Sequence, residues 1–497
     1  MKRRDFIKYG MGGLATLVVG TKMPWLMDNP AYAAVQTQNL NFTITDAVKE
    51  MVTHEPGNNQ ATCYFWIYRS NSPAFPPDCP GPQIYTTVGD TINISITNEL
   101  DEDHALFIPG MYNSGPIAPG ATVTGTFRPN RAGSYLYYDN LNTPVNRVMG
   151  LHGALIVMPA NLHGTRAGGS HRLTPYDRPT PAVQQLFDDF GRAPWWPGLA
   201  WEQGDPAANP PTPPFRQYVW LNHQASPVLF NEVGNAAPGT GARIPANFMD
   251  GFISDPFIAT SNDPRLLLTV PAVPLNDTFN RLPHFFTICG QSGHFSHNHP
   301  AITPMNRVGE PCVVHVLNAG LWTHSMHLHA NHFYITCVNG RVQSNLLWVD
   351  TFTSKPMDIY DMVIPYMRPP DIPNVRGIGR ADAGLPAGLG TTWPPQQEFD
   401  VHQPKVGTTK ISFLNPGTLI DIAQRQSPLV YPMHDHSEAS QTAQGGNYNC
   451  GLIAGMTIIG DRNTPGWREF PRDADFDMML TLGNGAPVTK PGGGTDP

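Results

Sequence analysis

At 497 residues the chain is long enough for two or three domains with substantial cores, and a strongly extended or disordered protein is not expected. Charged residues make up only 14% against 52 prolines and 47 glycines, a composition that favours short strands and many turns over long helices. The formal net charge of −8 argues against nucleic acid as a partner.

The first residues, MKRRDFIKYGMGGLATLVVG, pair Arg3 and Arg4 with a short apolar stretch, and Ala31-Tyr32-Ala33 supplies small residues at a plausible cleavage point. Residues 1–33 are therefore expected to be a signal resembling the twin-arginine type, and the mature chain periplasmic or extracellular. Its removal takes five basic and two acidic residues and leaves 26 against 37, a net −11. No integral membrane segment is expected after it, because no later apolar run approaches bilayer length. An oxidising destination permits disulfides. Of the six cysteines, Cys63 and Cys79 bracket a proline-rich loop and are the preferred pair, with burial as small apolar side chains the equal alternative.

An internal repeat organises the rest. Val88-Gly89-Asp90 leads through Ile92, Ile94 and Ile96 to Asn98, and Val308-Gly309-Glu310 leads through Val314 and Val316 to Asn318, with a glycine-to-asparagine interval of nine in both. The stretch from Gly120 pairs with that from Gly407, and Gly150 onward pairs with Gly451 to Ile459. Two all-β Greek-key sandwiches or barrels are expected, at 37–160 and 265–465, followed by a tail at 466–497. Pro365 to Asp400 reads as a loop insertion in the second copy. Between the copies, 161–264 carries seven prolines from Pro194 to Pro214 and reads either as a third, degenerate domain or as a decorated linker.

Twelve of the 18 histidines lie between His284 and His436, a concentration that favours a metal role. His324, His327 and His329 stand in HSMHLHANHF, and His434 and His436 in YPMHDHSE. Residues two apart on a strand face one side, so each HxH presents two imidazoles to one point, and neighbouring strands close a four-nitrogen site suited to copper or zinc. Asp435 and Glu438 are candidates to orient the rings or join them. His294, His297 and His299 have similar spacing but read as surface or outer residues, and the bland alternative for the whole cluster is a hydrated polar patch.

HSMHLHANHF and YPMHDHSE resemble the copper-binding segments of the multicopper oxidase family of cupredoxin repeats. The resemblance implies cupredoxin-like sandwiches. It places His324 at the blue-copper position and His327, His329, His434 and His436 at trinuclear-cluster positions. It also marks departures. Asp435 stands where the family has its blue-copper cysteine, no histidine follows His436, and the first copy reads Phe107-Ile108-Pro109-Gly110 and Tyr138-Asp139-Asn140 where four imidazoles belong. Cys450 with His324 and Met456 is a less favoured soft trio. His104 and His152 lie near the lost segments and read as structural, as do Tyr137, Tyr138 and Asp139, whose alternative is a substrate pocket.

The expected function is an exported, copper-dependent oxidoreductase with a reduced histidine-only site, holding one or two copper ions with zinc left open, and a small-molecule or protein electron donor. A non-catalytic metal-binding protein and a metal-free cupredoxin scaffold stand beside it as alternatives. Oligomeric state and substrate are not legible.

Overall fold

The computed structural model describes residues 37–51, 61–70, 80–160, 171–189, 215–253, 281–299, 302–308, 311–329, 331–366, 410–412, 419–421, 429–441 and 451–461. The signal-like segment, the proline-rich stretch, most of the expected loop insertion and the tail lie outside these residues, as do Cys79 and Cys450, so the expected Cys63 pairing does too.

Two sandwiches share one pairing scheme. In the first, a four-stranded sheet runs Ala61–Ser70, Thr37–Met51, Thr91–Asn98, Thr122–Phe127, and packs on a five-stranded sheet running Ile84–Thr87, His152–Met158, Gly133–Tyr138, Phe107–Ile108, Tyr112–Asn113. In the second, a six-stranded sheet runs Phe285–Ile288, Arg216–Ala225, Cys312–Asn318, Ile359–Ile364, Phe333–Val338, Arg341–Val349, and its partner runs Met305–Val308, Ile453–Asp461, Leu429–Asp435, His324–Leu328, Thr351–Ser354. In each copy the strand ending at the repeat asparagine lies parallel to the strand that opens the copy, Thr37 facing Thr91 and Arg216 facing Cys312. The alternation of Ile92, Ile94 and Ile96 fits a strand with one buried face, whereas Cys312–Asn318 is buried throughout.

The scheme revises one sequence match. The strand equivalent to Thr122–Phe127 is Ile359–Ile364, since both pair antiparallel with the central strand, whereas among the described residues Lys410–Ser412, in the stretch from Gly407, pairs only with Leu419–Asp421 in a separate two-stranded sheet. Alternation of β-formers alone does not distinguish a sandwich strand from a hairpin. Arg216–Ala225, within the middle segment by sequence, is hydrogen-bonded into the second copy's sheet. The second copy also gains the hairpin Phe333–Val338 and Arg341–Val349, turned at Asn339-Gly340 with φ of 49° and 74°, the left-handed pair that a two-residue hairpin loop demands.

Helices Pro227–Asn235 and Pro245–Phe252 leave the second sheet and stack Phe230, Phe248 and Phe252 against Phe65 of the first copy. The outer face of the first copy's five-stranded sheet, through Leu136, Ala154 and Ile156, packs on Val219, Val313 and Leu317 of the second copy's six-stranded sheet. Within that junction the Ser134 hydroxyl donates to Asp361 at 2.8 Å, His315 Nδ1 lies 2.7 Å from the same carboxylate oxygen, and Tyr176 donates to the other oxygen at 2.9 Å.

His152 and His223 meet elsewhere between the copies, ring centroids 4.5 Å apart and both buried. Burial lowers both, His152 well below the ordinary range and His223 to about 3. Both are therefore neutral in the folded protein and protonate near pH ~6.5 once unfolded. Below that pH the unfolded chain binds more protons, so the stability they supply is complete above pH ~6.5 and is lost as pH falls, for His223 toward about 3. For His223 the loss at pH ~5 is ~2 kcal/mol. Melting of the metal-free protein should fall measurably between pH ~7.5 and ~5, and His223→Gln should remove part of that slope; a flat profile would refute it.

Candidate metal centre

The strand His324–Leu328 buries His324, Met326 and Leu328 and leaves Ser325 and His327 partly open, and His329 follows exposed. On the adjacent strand Met433 and Asp435 are buried, His434 is partly open and His436 is exposed. The register sets His327 opposite His434 and Met326 opposite Asp435. Period-two alternation therefore brings His327, His329, His434 and His436 to the outer face of this sheet.

The four rings are neighbours there, and the nitrogens of three of them, His327, His329 and His434, come within ligand range of one another while His436 lies beside that set. Nε2 of His329 and Nε2 of His434 are 3.0 Å apart, and ring centroids are 4.9 Å for His327 and His329, 4.6 Å for His327 and His436, and 5.2 Å for His434 and His436. One nitrogen from each of His327, His329 and His434 lies within 4.8 Å of the others. Bonds of about 2.0–2.1 Å to one ion, meeting at 90–110°, place ligand nitrogens ~3.0–3.4 Å apart, which the His329–His434 separation meets.

Backbone hydrogen bonds orient two of these rings. His327 Nδ1 lies 3.1 Å from the Asp350 carbonyl and 2.9 Å from the Thr351 hydroxyl, and His434 Nδ1 lies 3.1 Å from the Asp435 carbonyl. A carbonyl accepts, so Nδ1 carries the proton and Nε2 is left with its lone pair, the tautomer a metal-binding imidazole needs. Burial lowers the pKa of both His327 and His329, and for His329 the neighbouring His434 and His436 lower it further. Neutral imidazoles with opposed lone pairs are a donor set for a borderline metal such as copper or zinc. Asp350, 3.8 Å from His327 Nδ1 by its carboxylate, and Thr351 were missed by sequence reasoning. They lie at the start of the strand Thr351–Ser354, more than twenty residues from His327, and no local pattern points to them.

His324 does not join the four. It lies three residues from His327, an odd interval on a strand, so its ring faces the core and is fully buried. Its Nδ1 is 2.6 Å from Asp435 Oδ2, and its Nε2 accepts from the Gln224 amide at 2.5 Å. Asp435 likewise faces inward, away from the imidazoles it was expected to orient with its carboxylate. Burial raises its carboxyl, but the donors from His324, Ser440 and Ser437 outweigh that and hold it below the usual carboxylate range. The Glu438 side chain and Cys450 lie outside the described residues, and Met456 is buried in the core.

The remaining candidates are structural. His104 Nδ1 is 2.7 Å from Asp139 Oδ2, both fully buried. His152 Nδ1 lies 2.8 Å from the Arg147 carbonyl, and Tyr137 donates to the Pro82 carbonyl at 2.6 Å from within the core. Tyr138 packs edge-on against Phe107. His297 sits on the short helix Gly293–Asn298 with Nδ1 2.7 Å from the Ala454 carbonyl, apart from the four-ring cluster.

Fold and site together define a mostly β, cupredoxin-like protein of two sandwiches with a histidine cluster on the second. Residues 69–162, within the first copy, match the family model described as multicopper oxidase. None of the curated proteins matches the chain. Among solved structures, the chain is similar to the blue copper oxidase from Nitrosomonas europaea, at 15% identity over 90% of this chain and 94% of that one with a TM-score of 0.46. It is also similar to the multicopper oxidase mgLAC, at 16% identity, 91% and 96% coverage and a TM-score of 0.45. The copper nitrite reductase from Nitrosomonas europaea follows at 13% identity, 88% and 98% coverage and a TM-score of 0.42.

Proposed function

We propose that the protein is an exported copper-binding oxidoreductase whose copper is held by His327, His329, His434 and His436. The observation that supports this reading is the convergence of the His327, His329 and His434 nitrogens on one sheet face with the His436 ring beside them, Nε2 of His329 and His434 being 3.0 Å apart and the protons of His327 and His434 drawn to carbonyls behind them. Bound there, copper supplies one-electron redox chemistry. The chain's own residues do the rest: Asp350, Thr351 and the Asp435 carbonyl hold ring tautomers, and the exposed His329 and His436 leave the centre open to a donor. A small-molecule or protein electron donor would reach the centre directly, since Asp435 is committed to His324 and no thiolate relay stands there. Among the described residues no helix is long and apolar enough to cross a membrane. Residues 1–33, with Arg3 and Arg4, support export.

Copper content by elemental analysis and turnover of a phenolic dye test the reading together: copper with turnover supports it, copper without turnover leaves a binding protein, and neither leaves a scaffold. The copper-loaded protein should show no intense thiolate-to-copper band in the red, because a carboxylate cannot reproduce a short copper–thiolate bond. Strong blue colour in the absorption spectrum would overturn the histidine-only site.

A further inference from the structure

We propose that Asp435 is a positioning residue for the copper centre, acting from the core side of the strand to fix the angle at which His434 and His436 present their rings. This rests on the copper reading above. Asp435 lies between the two histidines in sequence but on the opposite face, fully buried. Its oxygens are fully used. Oδ1 accepts from the backbone of Ser325 at 2.7 Å and of Ser437 at 3.0 Å, and Oδ2 accepts from the Ser440 hydroxyl and faces His324 Nδ1 at 2.6 Å.

Two of those donors belong to the segment that carries His327, and the other two follow His436. One carboxylate therefore ties together the two strands bearing all four imidazoles, at the rung where the His436 backbone donates to the Ser325 carbonyl at 2.9 Å. The carboxylate is itself held in place from the six-stranded sheet. Leu321 N donates to Gln224 Oε1 at 2.8 Å, which aims the Gln224 amide nitrogen at His324 Nε2 and leaves the His324 proton on Nδ1 for Asp435. Each partner's orientation follows from the one before it, so the ring angles at the centre are set by a chain anchored in the other sheet.

The first copy contains the same device without the centre. His104 follows Asn98 by six residues, as His324 follows Asn318, and Nδ1 of His104 is 2.7 Å from Asp139 Oδ2. The backbone of Leu141, two residues on, donates to Asp139 Oδ1 at 2.8 Å, as Ser437 does to Asp435. Asn146 donates to Oδ2 at 2.9 Å in the role of Ser440. Tyr138 and Asn140 flank Asp139 where His434 and His436 flank Asp435. No imidazole flanks Asp139, which makes the first pair an internal control for the pair in the second.

The test compares the full chain with Asp435→Asn and Asp139→Asn, measuring melting of the metal-free protein, Cu(II) affinity by chelator competition, and the Cu(II) electron paramagnetic resonance spectrum. Both variants should melt lower. Asp435→Asn alone should weaken copper binding by about 10–100-fold and change the copper hyperfine splitting. Wild-type affinity and spectrum in Asp435→Asn would overturn the positioning role, as would an equal loss of affinity in Asp139→Asn. Should Asp435→Asn not fold, Ser440→Ala removes one donor and leaves the pair, and an unchanged copper spectrum there overturns the proposal as well. Failure of the wild-type chain to bind copper strikes the copper reading itself, and is distinguished by that arm alone.

Discussion

His434→Ala is expected to abolish stoichiometric copper binding while leaving the fold in place. His434 is the hub of the cluster: its Nε2 faces His329 at 3.0 Å, its Cα lies opposite His327, and its ring centroid is 5.2 Å from His436. Its ring is only partly buried and its Nδ1 meets the carbonyl of its own neighbour Asp435, so the sheet loses little when it goes. Loss of a residue that merely orients a ligand weakens metal binding by about 10–100-fold, so loss of a direct ligand should exceed ~100-fold. Calorimetric titration of Cu(II) into the variant should show no tight phase, with circular dichroism unchanged. His171→Ala, at an exposed histidine paired with Asp188, should bind copper as the parent does. Retention of tight copper by His434→Ala would remove the four-imidazole centre and the chemistry assigned to it.

The largest loss of stability should come from Asp361→Ala. Asp361 is buried at the junction of the two sandwiches, and its carboxylate meets Ser134, His315 and Tyr176 at 2.7–2.9 Å. Those three groups come from both copies and from the segment between them, and all three are buried with the carboxylate. Removing one partner of such a buried set leaves its donors unsatisfied and costs ~3–5 kcal/mol. In a chain of this size that corresponds to a fall in Tm of about 3–5 °C. The first copy's face should then part from the second's, so differential scanning calorimetry should show the transition broadening or splitting. An unchanged transition in Asp361→Ala would mean that the apolar contacts around Leu136, Ile156, Val219 and Leu317 hold the junction without the polar set.

Much of the architecture was legible because duplication leaves landmarks at fixed intervals. Gly89 to Asn98 and Gly309 to Asn318 mark the same central strand, and in both copies the asparagine side chain accepts from the backbone two residues on, at Leu100 and Gly320. The match from Gly120 to Gly407 failed where the interval no longer guided it, since any run of alternating β-formers fits a strand and only hydrogen-bond partners say which one. Arg216–Ala225 is the same case: its apolar run YVWLN says strand, but its neighbours are nearly a hundred residues away.

The site divides along the same line. The sequence by itself determined the two HxH pairs and their common facing, because alternation on a strand is a local property of the backbone. It determined as well that no thiolate accompanies them at position 435. Only the tertiary structure decided that the two pairs lie side by side, that Asp350 and Thr351 support them, and that His324 turns inward to Asp435. Those facts depend on which strands become neighbours and on which face of the sheet is covered. Both are set by packing between segments about a hundred residues apart, which no window of sequence contains.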